Sequence, residues 1–185
     1  MMTEISLNVL DVSENSTRAG ASLVTILVTA DTSADKLTIA IADNGCGMTP
    51  EQTAHVTDPF FTTRTTRKVG LGIPFFKYAA ESTGGSFHIE SEPGKGTTVT
   101  AVFGLSHIDR MPLGDMNATI HNLIVYHPDT DFLYTYTYND ASFTLDTREM
   151  REILGEIPLN TPEVSAYIME YLKENQQETY GGALI

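Results

Sequence analysis

Three short stretches hold the residue types that could do chemistry. In DVSENSTR, a helix turning 100° per residue sets Asp11, Asn15 and Arg18 within about 60° of one another, with Asn8 about 20° further round. A carboxylate and an amide one turn apart offer the oxygen atoms that Mg²⁺ takes, and a guanidinium on the same stripe reaches a phosphate. The competing reading is a solvated polar face, and periodicity alone does not choose between them. The second stretch, DNGCGM at 43–48, ends the alternating run KLTIAIA. Asn-Gly is a common turn dipeptide. Equally, glycine lets backbone approach a ligand closely, with Asp43 held at the strand end to read it. The third, FFTTRTTRKVGLG, gathers Arg64, Arg67 and Lys68 beside glycines. It reads as an anion site or as a solvated basic loop.

The elements that must position these residues follow from pattern. Residues 3–19 read as a helix with Ile5, Val9, Val12, Ser16 and Ala19 on one face and Gly20 at its C-terminal cap. Strands are predicted at about 22–30 and 36–43. Thr49, Pro50 and Gln52 make a capping signal for a short helix, and Pro74 starts another that Gly84 and Gly85 close. Strands at about 86–92 and 97–104 flank the turn PGKG. Together these make one layered α/β unit over 1–104. Beyond it, HIDRMPLGDM reads as a linker, then ATIHNLIVYH, DFLYTYTY and ASFTLDT as strands. REMREILGEI and TPEVSAYIMEYLKENQQ read as helices, the latter capped by Thr161 before Pro162. Tyr134, Tyr136 and Tyr138 alternate onto one strand face, a partner surface if exposed and a half-buried strand pair otherwise.

Composition narrows the function classes. The chain has 185 residues, 41% of them hydrophobic, enough for a sizeable core. Its single cysteine, Cys46, excludes an internal disulfide and leaves no Cys/His metal spacing. A net charge of −13 argues against a nucleic-acid partner. The charge is uneven: seven Lys and Arg against eleven Asp and Glu up to Gly104, then four against thirteen from Leu105 on. No apolar run approaches the roughly 18–20 residues of a membrane span, and the start lacks the basic-then-apolar order of a signal peptide. The expectation is a cytoplasmic protein with no membrane contact.

Four blocks resemble the GHKL superfamily of ATP-binding domains, which includes histidine kinases, MutL mismatch-repair ATPases, gyrase-type topoisomerases and ninety-kilodalton heat-shock chaperones. DVSENSTRAGA resembles the N box, and DNGCGM, VGLGI and GKGTTV the three glycine boxes; beyond these four, DPFFTTR resembles the Phe-rich box of histidine kinases. The resemblance covers about residues 5–104. It implies the Bergerat fold, an α+β two-layer sandwich of a mixed sheet with helices on one face, here followed by a small α/β extension over 105–185. It implies that ATP and Mg²⁺ are the cofactors, that Asn15 coordinates Mg²⁺ and that Arg18 contacts a phosphate. Asp43 would accept from the adenine amino group, with Thr97 assisting through water. Gly45 and Gly47 would let the backbone pass under the base, and Met48 would pack on it. Residues 49–69 would form a lid anchored by Phe60 and Phe61. Arg64, Lys68, Gly70, Leu71 and Gly72 would gather at the phosphates.

Departures from the family pattern matter as well. The second glycine box lacks the usual upstream glycine and carries Pro74 where a Ser or Thr is common. The N box begins within the first dozen residues, so neither a dimerisation helix nor a phosphoacceptor histidine of the usual kind is expected. Asp11 stands where MutL-type ATPases and serine-phosphorylating kinases of the superfamily carry a general-base Glu, and histidine kinases an Asn or His. It is the candidate catalytic residue. The expectation is therefore a Mg-ATP module acting in trans on a protein partner as a kinase or ATPase component. The alternative is a nucleotide-gated binding module without turnover. In either case the acidic extension docks the partner or pairs two copies.

Overall fold

The computed structural model describes residues 2–58 and 72–181. Alternation does most of the work. In the strand β1 (Leu23–Asp31), Val24, Ile26, Val28 and Ala30 point to one face and have no exposed surface; in β2 (Lys36–Asp43), Leu37, Ile39 and Ile41 do the same. Each Val, Leu or Ile among them contributes roughly 1.5–3 kcal/mol when removed from water. The register joins these residues into rows. Ile26 lies beside Ile41 and Tyr134, Ile41 beside Val99, and Val99 beside Ile89.

Those pairings involve β3 (Ser86–Glu92), β4 (Gly96–Gly104), β5 (Asp131–Tyr138) and β6 (Ala141–Asp146), which complete a six-stranded sheet of order β3-β4-β2-β1-β5-β6. The β1–β5 pair is parallel and the rest antiparallel, so the sheet is mixed, and it runs on without a break into the acidic half. Helices cover the buried face. The helix α1 (Ile5–Arg18) packs between α3 (Gly72–Glu81) and α4 (Met116–Tyr126), and α4 packs on α6 (Pro162–Tyr180), which covers β5 and β6. The short helices α2 (Pro50–His55) and α5 (Thr147–Leu154) sit against β3 and β5. This is the α+β two-layer sandwich expected from the sequence.

The predicted capping box of α2 forms, with Thr49 accepting from the Gln52 N–H and Gln52 accepting from the Thr49 N–H. Three expectations need correction. ATIHNLIVYH is not a strand; it lies in α4, whose buried residues Met116, Thr119, Ile120, Leu123 and Ile124 recur at helical spacing. Asp115 caps it by accepting from the Ala118 N–H. The β-branched composition of 118–126 disguised that period, and packing overrode propensity. The helix α3 already includes Gly72, two residues before the Pro74 at which the sequence placed its start. Thr161 holds the N-cap position of α6 without a side-chain cap bond. Tyr134 and Tyr136 are core residues, 0% and 1% exposed, so no exposed tyrosine ladder exists on this face. Phe60, Phe61 and Arg67 lie outside the described residues, as do Arg64, Lys68, Gly70 and Leu71.

Candidate functional site

The same alternation that buries Leu37, Ile39 and Ile41 carries Asp43 onto the helix-covered face at the end of β2. Register sets Thr97 opposite Asp43, and Ser91 opposite Thr97. The row that ends the apolar face is thus polar. One Asp43 oxygen accepts from the Ser16 hydroxyl at 2.6 Å and the other from the Gly45 N–H at 2.9 Å. A carboxylate has about four acceptor positions and no donor, so roughly two remain for a ligand. Ser91 Oγ accepts from the Met48 N–H at 2.8 Å, donates to the Gly96 carbonyl and lies 2.8 Å from Thr97 Oγ1.

The loop after Asp43 is pinned at each step. Asn44 Oδ1 accepts from the Ser22 and Leu23 N–H groups. The Cys46 N–H donates to the Ala19 carbonyl, and the Cys46 carbonyl accepts from the Gly94 N–H. Gly47 has φ +65°, and a Cβ there would run into the Glu92 carbonyl, so the loop lies flat against the β3–β4 turn only with glycine at this position.

The opposite wall is α1. Arg18 donates from Nη2 to Asn15 Oδ1 at 2.7 Å and from Nε to the Glu14 carbonyl at 2.9 Å. The Asp11 carboxylate lies against the first residue of α3, where a Cβ on Gly72 would overlap it. Between these walls is a cavity of about 380 Å³. Its lining includes Asn15, Arg18, Asp43, Gly47, Met48, Gly72 and Thr97, brought together from four regions of the sequence. Gly45 and Asp11 are not in that lining; Gly45 is buried beneath Asp43, and the Asp11 carboxylate lies against Gly72. Asn8, which helical spacing put at the edge of the polar stripe, is fully buried away from the cavity.

Sequence reasoning missed Ser16 and Ser91, the hydroxyls that orient Asp43, Met48 and Thr97. Ser16 carried a usable signal, a polar residue on the core-facing side of α1, 4% exposed. Ser91 carried none, because its partner Met48 is far away in sequence. Among the described residues, no three His, Cys, Asp or Glu side chains gather as metal ligands, and no helix is long and apolar enough to cross a membrane.

Residues 1–107 match the family described as histidine kinase-, DNA gyrase B-, and HSP90-like ATPase. The sensor protein SrrB of Staphylococcus aureus (strain NCTC 8325 / PS 47) is 33% identical over 102 residues, which are 52% of this chain and 17% of SrrB. A protein of Shewanella frigidimarina (strain NCIMB 400), described as a sensor, is 38% identical over 72 residues, 38% of this chain and 11% of that one. The matched region therefore spans less than a fifth of either relative. The crystal structure of the N-terminal domain of a DNA repair protein superposes with a TM-score of 0.55 at 14% identity, covering 78% of this chain and 52% of that one, and so shares the fold. A matching family over more than half of the chain, on a two-layer sandwich with this cavity at the end of its sheet, identifies the chain as a member of the histidine kinase-, DNA gyrase B- and HSP90-like ATPases.

Proposed function

We propose that the chain binds Mg-ATP in this cavity and acts in trans on a protein partner, as a cytoplasmic kinase or ATPase component. Residues 1–104 carry the nucleotide site, and residues 105–185 carry the surface that meets the partner or a second copy. The observation that supports this most is Asp43: an acceptor-only group, fixed by two donors on the cavity floor, suits the amino edge of adenine. Met48 offers a soft side chain for the base, and Thr97 a hydroxyl beside Asp43. Asn15 and Arg18, on the α1 wall of the same cavity, suit phosphates and their cation. Asn15 would supply one side-chain oxygen to a Mg²⁺ that arrives with the nucleotide. Bound Mg²⁺ would neutralise charge on the transferring phosphoryl group. Asn15 Oδ1 now accepts from Arg18, so the pair would rearrange as Arg18 turns to a phosphate and Asn15 to the cation. Arg64, Lys68, Gly70 and Leu71 belong in this reading to the phosphate end.

A second reading, a nucleotide-gated binding module without turnover, is favoured by one observation: Asp11 does not line the cavity. Two measurements test the pair. With Mg-ATP at about 100 times its dissociation constant, linkage stabilises the fold by about 2.7 kcal/mol, a rise of about 5–11 °C in Tm for this length, and GTP does much less. No rise at millimolar ATP overturns the nucleotide reading. If Asp11 is a general base, Asp11→Asn lowers phosphate release or transfer from ATP about 100-fold or more while ATP affinity stays within a few-fold. Full turnover in that variant removes Asp11 from the chemistry, and no turnover in the wild type with any partner selects the gated module.

A further inference from the structure

A second recess, of about 310 Å³, lies on the far side of Arg18. Its walls are Glu14, Thr17 and Arg18 on α1 and the turn from Tyr126 to Thr130 that joins α4 to β5. Arg18 lines both this recess and the nucleotide cavity. The turn is held from several sides. Thr130 Oγ1 donates to the Ala21 carbonyl, the Asp131 N–H donates to the Ser22 carbonyl, and Arg151 donates to the Pro128 carbonyl at 2.6 Å and to Asp131 at 2.8 Å. His127 Nε2 lies 2.8 Å from Glu14 Oε1, which ties the turn to α1.

The surface chemistry of the recess is specific. Tyr126 is 74% exposed at its rim, Asp129 is exposed beside it, and Glu14 presents a carboxylate from α1. The acidic half around it has thirteen Asp and Glu against four Lys and Arg. Three of those four cations are engaged internally: Arg110 by the Leu105 and Met111 carbonyls, Arg148 by Asp146 and Arg151 by Asp131. The half therefore presents a negative field that steers cations toward it.

We propose that this recess takes an arginine side chain from a basic segment of a protein partner, and that its occupancy is coupled to the nucleotide cavity through Arg18. A guanidinium is planar, stacks on a tyrosine ring and donates five hydrogen bonds, which matches a recess lined by one exposed aromatic and two carboxylates; an ammonium stacks less well. A guanidinium at Glu14 displaces His127 and repels the neighbouring Arg18. The other side of Arg18 is the nucleotide cavity, where a phosphate receives it and Asn15 Oδ1 is released. The coupling rests on the ATP reading above; the recess itself does not. Linkage requires that the partner segment and ATP raise each other's affinity by the same factor.

The test uses the full chain and three probes, hexa-arginine, hexa-lysine and hexa-glutamate peptides. Binding is measured by calorimetry at about 0.15 M salt, where screening over about 8 Å suppresses the general field. Hexa-arginine is expected to bind more tightly than hexa-lysine, and hexa-glutamate not at all. Glu14→Gln and Tyr126→Ala are each expected to weaken hexa-arginine about tenfold or more. Glu170→Gln with Glu174→Gln, on α6, is expected to change it less than twofold. Equal affinity of the two cationic peptides, or loss through the α6 pair with none through Glu14 and Tyr126, overturns the recess and leaves a diffuse acidic field. Mg-ATP is then titrated with and without hexa-arginine. A severalfold gain in ATP affinity that Glu14→Gln abolishes supports the coupling, and an unchanged ATP affinity overturns it. If the wild type binds hexa-arginine through Glu14 but never binds ATP, the nucleotide reading has failed and the recess has not.

Discussion

Asp43→Asn is the most informative single substitution, because its effects on stability and on base choice separate. In the wild type two of about four acceptor positions are used, by the Ser16 hydroxyl and the Gly45 N–H. An asparagine can keep its oxygen on the Gly45 N–H and turn its NH₂ toward Ser16, whose hydroxyl rotates to accept. The fold then keeps both contacts but exchanges charge-assisted bonds for neutral ones, a loss of about 1 kcal/mol, and Tm falls by no more than about 4 °C. Base choice changes more. An NH₂ now meets the amino group of adenine, donor against donor, and a charge-assisted bond of about 1.5–3 kcal/mol is lost. ATP binding should weaken about 10- to 150-fold. Guanine carries an acceptor on the corresponding edge, so GTP should weaken less or improve. Calorimetric titration of both nucleotides with Mg²⁺, on wild type and variant, measures the ATP-to-GTP affinity ratio. A variant that folds and keeps the wild-type ratio refutes the assignment of Asp43 to the base.

Other expectations follow from single residues. Gly47→Ala forces a Cβ into the Glu92 carbonyl and a left-handed conformation costing about 1–2 kcal/mol, so Tm should drop by at least about 4 °C; an unchanged thermal scan would mean the loop sits differently in solution. Cys46 is the sole cysteine, exposed and in the cavity lining, so Mg-ATP should slow its alkylation by N-ethylmaleimide, and a rate indifferent to ATP would place the nucleotide elsewhere. Burial pushes the Tyr136 phenol up to about 12 and raises Tyr134 as well. The neutral phenol is the form the fold favours. Its contribution is fully present below the unfolded pKa of about 10 and is lost as pH rises from there toward about 12. Tyr136→Phe should flatten the fall in urea-measured stability over that interval, and an equally steep fall would assign the loss to other groups.

Much of the site was legible because local rules and global position agree at those residues. KLTIAIA alternates, so it predicts both a strand and the direction of Asp43; Thr49, Pro50 and Gln52 predict a cap that forms. The helical stripe of Asn15 and Arg18 survives because one helix fixes their spacing, and both line the cavity. What was not legible depends on pairing across the chain. Ser91 matters only because a hairpin sets it beside Thr97 and a loop brings Met48 to it. Asn8 shares the stripe of Asn15 by angle but lies two turns away along the axis, under the packing of α1, where angle alone says nothing about depth. The α4 segment failed for the opposite reason: Thr119, Ile120, Ile124 and Val125 favour a strand locally, and only a packed layer between α1 and α6 makes them a helix.

The parallel pairing of β1 with β5 has a consequence for how the protein is made. Leu23 to Ala30 lie hydrogen-bonded to β2 on one side, while the partner on the other side, Asp131 to Tyr138, is more than one hundred residues later in the chain. During synthesis, β1 presents an open edge with Val24, Ile26 and Val28 beside it until β5 leaves the ribosome. Such an edge is a template for pairing with another chain, and closing so long a loop is slow. Folding of the candidate site is thereby tied to arrival of the acidic half. A chain cut after Gly104 would keep every described residue that lines the candidate cavity and lose the strand that closes the edge of β1, so it should aggregate where the full chain stays monodisperse.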